Sequence, residues 1–249
     1  MAKRGWVIAI DGPAGSGKST VGRALAERLG VGFLQTGAMY RAVALEALRR
    51  GADLDDGLRL GHIARDVEID VGDTVHIGAE DVTSALRSPE VESVVSKVAA
   101  HPEVRSEMVR RQVDWVVEHG GGVVEGRDIG SVVLPSADLK VFLEAGDDVR
   151  VRRRARDMEL AGIAGDPSSL AERDRIDSSR STAPLRVAEG AVVVDTSEMR
   201  VSDVVDELIA LLEDPRGGSI RGGQGPLSTE QEHLSRQAEA SARVSRVEH

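Results

Sequence analysis

Residues 12–19 read Gly-Pro-Ala-Gly-Ser-Gly-Lys-Ser, the pattern GxxxxGK[ST], set between the apolar run WVIAID and the helix-spaced segment STVGRALAERLG. Few arrangements satisfy all three pieces at once: a buried strand, a tight glycine loop and a helix that starts within it. The glycines let backbone N–H groups close around a β-phosphate with no Cβ in the way. A helix beginning near Lys18 points its positive N-terminal end at the same place. The candidate cradle for a nucleoside triphosphate is therefore Gly12, Pro13, Ala14, Gly15, Ser16, Gly17, Lys18, Ser19 and Thr20. Lys18 is expected to bridge β- and γ-phosphates, and the Ser19 hydroxyl to ligand Mg²⁺. Arginine outnumbers lysine 28 to 4, which reads as genomic bias and makes a lysine at position 18 more telling.

Apolar strands then alternate with helices. VGFLQ predicts a second strand and TGAMYRAVALEALRRG a helix ending at Gly51. VEIDVGDTVHIGAEDVT alternates around Gly72 and Asp73 and predicts an antiparallel hairpin. Two helices follow, with Pro89 and Pro102 in their first turns, where proline costs no donor. GVVEGRD and DLKVFLEA read as buried strands, DVRVRRRARDMELAG as a basic helix, AVVVDTS as the last strand and VSDVVDELIALLED as the last helix. This order predicts an α/β fold, a parallel sheet covered on both faces. The hairpin and its two helices interrupt the alternation, so residues about 62–120 read as an insertion into a domain spanning 1–214. From Pro215 onward the composition is linker-like, and a disordered tail over 215–249 is the expectation.

Composition narrows the classes. A net charge of -10 argues against a nucleic-acid partner, which needs a basic face, and five aromatic residues are too few for a base-stacking platform. With no cysteine, disulfides and thiolate zinc sites are excluded. The N-terminal apolar run is too short for a signal peptide, and no stretch approaches the roughly 20 apolar residues of a membrane span. A cytoplasmic monomer acting on small molecules is expected.

The glycine loop leaves its class open, and the rest of the chain narrows it. A GTP switch reads guanine through NKxD, and this sequence contains no asparagine. A motor ATPase usually ends an apolar strand in Asp-Glu, which neither GVVEGRD nor LKVFLEA does. Small phosphotransferases remain. Transfer between two anions needs cations at both, and arginine's fork suits phosphate better than lysine. Arg41 follows TGAMY, Arg127 follows an apolar strand, and Arg173 and Arg180 bracket RDRIDSSR. Arg127 and Asp128 fall where the carboxyl end of a parallel strand opens into a crevice. In the basic helix Arg150, Arg152, Arg153, Arg154 and Arg156 point several ways; only Arg150 and Arg154, four apart, are expected to share a face, as one arm of a lid over ATP.

The segments GPAGSGKST, TGAMYRA, EGRDIGSVVLP, RDRIDSSRSTAPL and VVVDTS occur in the order and approximate spacing of the bacterial cytidylate kinases, and residues about 6–213 resemble that family. The resemblance implies a nucleoside monophosphate kinase fold with an inserted monophosphate-binding domain and a short lid over about 150–180. It implies ATP and Mg²⁺ as co-substrate and metal, and CMP or dCMP as acceptor. Carried over by position, it puts Thr36, Tyr40 and Arg41 along the monophosphate, with Arg41 on its phosphate. Ser96 and Arg105 would reach the cytosine. Arg127 would hold the transferring phosphate, Asp128 would contribute to base recognition, Arg173 and Asp177 would face the sugar, and Arg180 would complete the pocket. Lys18, Arg127, Asp128 and Arg173 are the expected catalytic set. A carboxylate can accept from cytosine's amino group, whereas uracil presents an acceptor there. Two departures stand out: Gln35 occupies a position where the family usually carries an acid, and the lid segment around AGIAGDPSS is short. Another small acceptor such as UMP or AMP is the alternative within the enzyme class. A slowly hydrolysing switch protein is the rival outside it, and it would leave the second arginine set without an anion to hold.

Overall fold

A computed structural model describes residues 5–161, 170–179 and 184–213, with only the backbone at 160–161, 170–173 and 179. Among these residues five strands form one parallel sheet in the order β2-β6-β1-β7-β8. They are β1 (Val7–Asp11), β2 (Phe33–Gln35), β6 (Gly122–Glu125), β7 (Leu139–Glu144) and β8 (Val192–Asp195). β1 lies at the centre, with Ile8 opposite Val123 on one side and Leu139 on the other. All five of its residues are buried, which is why VIAID is an unbroken apolar run until its last position.

Helix α1 (Lys18–Leu29) leaves the glycine loop and packs on α8 (Val201–Glu213), while α2 (Thr36–Arg49) follows β2 directly. Gly30 ends α1 in the left-handed region, where its N–H reaches back to the last carbonyls. Between α2 and β6 the chain builds α3 (Gly57–Asp66), β3 (Ile69–Val71), β4 (Val75–Ile77), β5 (Glu80–Asp81), α4 (Pro89–Val98) and α5 (Pro102–Glu118). Pro89 and Pro102 sit at the first turns as expected, and Ser88 caps α4 by accepting from the Val91 N–H.

Two features here differ from the sequence reading. The expected hairpin has a third antiparallel strand, β5, because Gly78 turns the chain back and Ile77 pairs with Glu80. Helix α3 was not expected at all, and the border drawn near residue 62 falls inside it. α2 packs on α4, and α3 on α5, and residues such as Val43, Leu60, Ile63, Val91, Val95 and Met108 join the core that also covers one face of the sheet. At about 25 cal/mol per Å² of apolar surface, each such side chain contributes about 2 kcal/mol on burial.

After β6 the chain makes a five-residue π turn over Ile129–Val133, then β7, the basic helix α6 (Asp147–Ala161), α7 (Leu170–Ser179), β8 and α8. Arg180, the segment 162–169 and residues 215–249 lie outside the described residues, as do the side chain of Arg173 and the tail. No helix among the described residues is long and apolar enough to cross a membrane.

Candidate active site

A cavity of about 590 Å³ opens outside the carboxyl ends of β1, β2 and β6, the usual ligand position in an open parallel sheet. The candidate residues are spread over 12–20, 36–41, 96–105, 127–128, 150–154 and 173–180. Each of these stretches contributes to one cavity wall, through Lys18 and Ser19, Arg41, Ser96 and Arg105, Arg127 and Asp128, Arg154, and Asp177.

On one side lies the glycine loop. Gly12, Gly15 and Gly17 all have positive φ. Ser16 is fully buried and its Oγ has no partner among the described residues. Lys18 is 5% exposed, and its Nζ donates to the Pro13 carbonyl at 2.6 Å. Burial first, and then the Arg127 guanidinium, push the Lys18 ammonium down to about 7. An anion bound beside Lys18 would favour its charged form again. The Ser19 hydroxyl donates to Glu125 at 3.0 Å and accepts from the Gln35 side-chain amide at 2.8 Å. Gln35 therefore supplies a donor that an acid there would not, and the hydroxyl proton turns to Glu125.

A carboxylate under the loop joins its two halves. Asp11, last residue of β1, accepts from the backbone N–H groups of Ile129 and Gly130 at 2.7 Å each. That clamp fixes the π turn, and with it the Arg127-Asp128 pair that precedes it, against the strand that launches the glycine loop. Burial pushes the Asp11 carboxyl up to about 6 despite those two donors.

The opposite side carries the second arginine set. Arg127 donates from Nε to Asp177 at 3.0 Å. Arg105 and Asp128, both 4% exposed, form an ion pair, and the Arg105 guanidinium lies 5.6 Å from the centre of the Tyr40 ring. Arg41 donates to Glu92 at 2.7 Å while its buried Nε has no partner among the described residues. Thr36 is spent on structure, donating to the Glu125 carbonyl at 2.8 Å, and Ser96 is buried at the wall.

The arginines of α6 divide differently from the expected lid arm. Arg150 does hold the glycine loop, donating to the Ala14 carbonyl at 2.9 Å and to Asp174, whose other oxygen accepts from the Ala14 N–H at 3.0 Å. Arg154 does not join it there. It donates to Glu92 at 2.6 Å, beside Arg41. The residue that accompanies Arg150 is Arg153, which donates to the Thr196 carbonyl at 2.6 Å, while the Thr196 hydroxyl donates to the Ser16 carbonyl at 3.0 Å. Arg152 and Arg156 are exposed. Asp11, Glu92, Glu125, Arg153, Asp174 and Thr196 were not singled out by the sequence. An acid immediately before the glycine loop gives no sign of which distant amides it will meet.

The site fits a triphosphate with a divalent metal on its own chemistry. A buried hydroxyl without a partner among the described residues, a buried lysine and a glycine cradle suit an anion. No cluster of three or more metal-ligating side chains occurs among the described residues. One hydroxyl with one carboxylate beside it suits Mg²⁺, which takes few protein oxygens and keeps phosphate and water ligands.

Residues 8–214 match the cytidylate kinase family. The chain is 44% identical to the cytidylate kinase of Anoxybacillus flavithermus over 216 residues, covering 83% of this chain and 96% of that protein. It is 44% identical to that of Geobacillus kaustophilus, covering 86% and 100%, and 46% identical to that of Mycobacterium avium, covering 81% and 92%. A match over most of both partners, on a fold whose glycine loop and second arginine set face one cavity, leaves one conclusion: the chain belongs to the cytidylate kinase family.

Proposed function

We propose that this protein transfers the γ-phosphoryl group of ATP to CMP or dCMP, giving ADP and CDP or dCDP. The observation that carries this is the joint arrangement of Lys18 on the glycine loop with Arg41, Arg105 and Arg127 around one cavity, a place for two anions at once. ATP lies on residues 12–20 and the acceptor between the sheet and the inserted residues, about 62–120. Its phosphate oxygen attacks the γ-phosphorus in line, the bond to the β-bridging oxygen breaks, and ADP leaves. That oxygen is already anionic at neutral pH, so no strong general base is required. Lys18 and Arg127, with Arg173 from the RDRIDSSR segment, offset charge on the moving group. Mg²⁺ held by Ser19, with Glu125 beside it, supplies further charge neutralisation. Arg41 grips the acceptor phosphate. Thr36 and Tyr40 line its path, Ser96, Arg105 and Asp128 read cytosine, and Asp177 and Arg180 serve the sugar and pocket.

A panel of CMP, dCMP, UMP and AMP in an ADP-release assay tests the reading. Fast release with the two cytidine nucleotides and slow release with the others is expected; release indifferent to the acceptor would defeat it.

Base recognition by Asp128 gives a sharper test. Asp128→Ala leaves Arg105 as a buried charge without its carboxylate, which costs stability as well as recognition, about 3 kcal/mol. Asp128→Asn keeps one acceptor and is the cleaner variant. With either, kcat/KM for CMP is expected to fall about 100-fold, equivalent to about 3 kcal/mol, with KM for ATP within about twofold. An unchanged kcat/KM for CMP removes Asp128 from base recognition.

The depressed Lys18 ammonium predicts a proton linkage. At pH 8 the free protein holds Lys18 mostly neutral, and a bound polyphosphate raises its affinity for a proton. ATP binding at pH 8 is expected to take up close to one proton, and at pH 6, where Lys18 is already charged, close to none. Titration calorimetry in two buffers of different ionisation enthalpy measures this. Equal uptake at both pH values, or uptake that survives Lys18→Ala, excludes Lys18 as the source.

A further inference from the structure

The chain that leaves β6 enters the π turn over Ile129–Val133 within a few residues. A helical turn leaves its first N–H groups without partners inside it, and the side chain just before it normally supplies one. That residue is Asp128, whose carbonyl accepts from the Val132 N–H at 2.9 Å. Aspartate is among the favoured residues in this place, because its carboxylate can fold back onto the second or third N–H. Here it does not: no side-chain bond from Asp128 caps the turn. Its carboxylate is turned instead to Arg105, on the wall of the cavity.

The first two N–H groups of the turn are served from another strand. Asp11, at the end of β1, accepts from Ile129 with one carboxylate oxygen and from Gly130 with the other, each at 2.7 Å. The Gly130 N–H is the second of the turn, a group that a capping Asp128 would take. Asp11 is only 2% exposed, so these two amides hold its carboxylate in place of water. Burial above all, and then the charge of Asp128, raise the Asp11 carboxyl, so the two acids repel each other. With Asp11 in the capping place, Asp128 is kept out of it both by occupancy and by charge.

We infer that Asp11 is a positioning residue for acceptor specificity: by capping the turn in place of Asp128, it keeps the Asp128 carboxylate on the cavity side, beside Arg105, where cytosine is read. This rests on Asp128 recognising cytosine. Asp11 is not part of the cavity wall. It acts through the direction in which another acid points.

The test is Asp11→Asn, which keeps the size of the side chain. Its amide oxygen accepts from one N–H, its NH2 group opposes the other, and that N–H becomes open to Asp128. The kcat/KM for CMP is expected to fall about 10-fold, with kcat/KM for UMP and KM for ATP each within about twofold of the parent. Discrimination of CMP from UMP then drops about 10-fold, whereas a merely structural defect slows both acceptors together. Asp11→Ser, with one neutral acceptor in place of two charged ones, is expected to show the same loss. In the double variant Asp11→Asn with Asp128→Asn, discrimination is expected to be no lower than in Asp128→Asn alone. Unchanged discrimination in Asp11→Asn, equal losses with both acceptors, additive losses in the double variant, or failure of both Asp11 variants to fold each overturns the role. If Asp128→Asn costs CMP recognition and Asp11→Asn does not, the base reading stands and this inference falls. If Asp128→Asn costs nothing, the base reading fails and takes this one with it.

Discussion

Lys18→Ala is expected to lower turnover of CMP at least about 1,000-fold while leaving the folded protein as heat-stable as its parent to within a few degrees. The loss follows from position. Among the described residues Lys18 is the one lysine in the cavity wall, and it is the cation that the glycine loop itself presents to the charge developing on a transferring phosphoryl group. The unchanged stability follows from its burial. An ammonium pushed from 10.5 down to about 7 costs the fold on the order of 4 kcal/mol at low pH. Between pH 7 and 10.5 the unfolded chain carries this proton and the folded one does not, so stability rises with pH across that window and the cost is full below it. Removing the lysine removes the cost, which offsets the lost bond to the Pro13 carbonyl and the packing of its stem. Thermal melts at pH 7 and pH 9 separate the two effects. The parent should gain stability over that interval and Lys18→Ala should gain less. A variant that keeps a tenth of parental turnover would take Lys18 out of the transition state, and one that melts far below the parent would mean that its activity loss reports unfolding.

The parts of this molecule that could be read from sequence are those where burial acts on contiguous residues. VIAID and GVVE are buried on both faces of the sheet, so each is apolar nearly throughout and stands out. The glycine loop is readable for a related reason, since its function falls on eight consecutive residues. Helix α3 is not. It has two glycines, at 57 and 61, and reads as a poor helix former. Gly61 is there because a Cβ at that position would lie 2.6 Å from the Glu103 Cβ of α5. Close packing of α3 on α5 overrides propensity, and only the partner helix shows why. Strand β5 escapes for the opposite reason: Glu80 and Asp81 are exposed, and only backbone pairing makes them a strand. In the site, Arg41, Arg105, Arg127 and Asp128 could be picked out by residue type and by the family resemblance, but their carboxylate partners could not. Asp11 meets amides 118 and 119 positions away, and Glu92 divides itself between partners 51 and 62 positions away. Nor does a run of five arginines say which face out. Arg150, Arg153 and Arg154 turn inward, Arg152 and Arg156 outward, and only the seat of α6 decides it.

The second large effect is expected from a single methyl group. In Gly12→Ala the new Cβ would lie 2.0 Å from the backbone oxygen of Leu143 and 3.0 Å from its carbonyl carbon. Neither atom can rotate away, because Leu143 belongs to β7 and is paired on its other side with Val194. The φ of +147° at Gly12 adds a backbone conformation that alanine rarely adopts. Strain and overpacking together cost at least about 3 kcal/mol. In a chain of this size that lowers the melting temperature by about 10 °C. Part of the clash can be relieved by moving the glycine loop away from β7, and that movement carries Lys18 and Ser19 with it, so turnover falls even below the melt. Gly30→Ala is the control, because its φ of +64° is also positive but no atom lies within 4 Å of its new Cβ. It should cost only the local strain, about 1 kcal/mol, and leave turnover alone. The contrast isolates the close approach of the loop to β7 from the bare preference of glycine for positive φ. If the two variants melted at the same temperature with the same activity, the contact between the first glycine of the loop and the end of β7 would not be what holds the phosphate cradle in place.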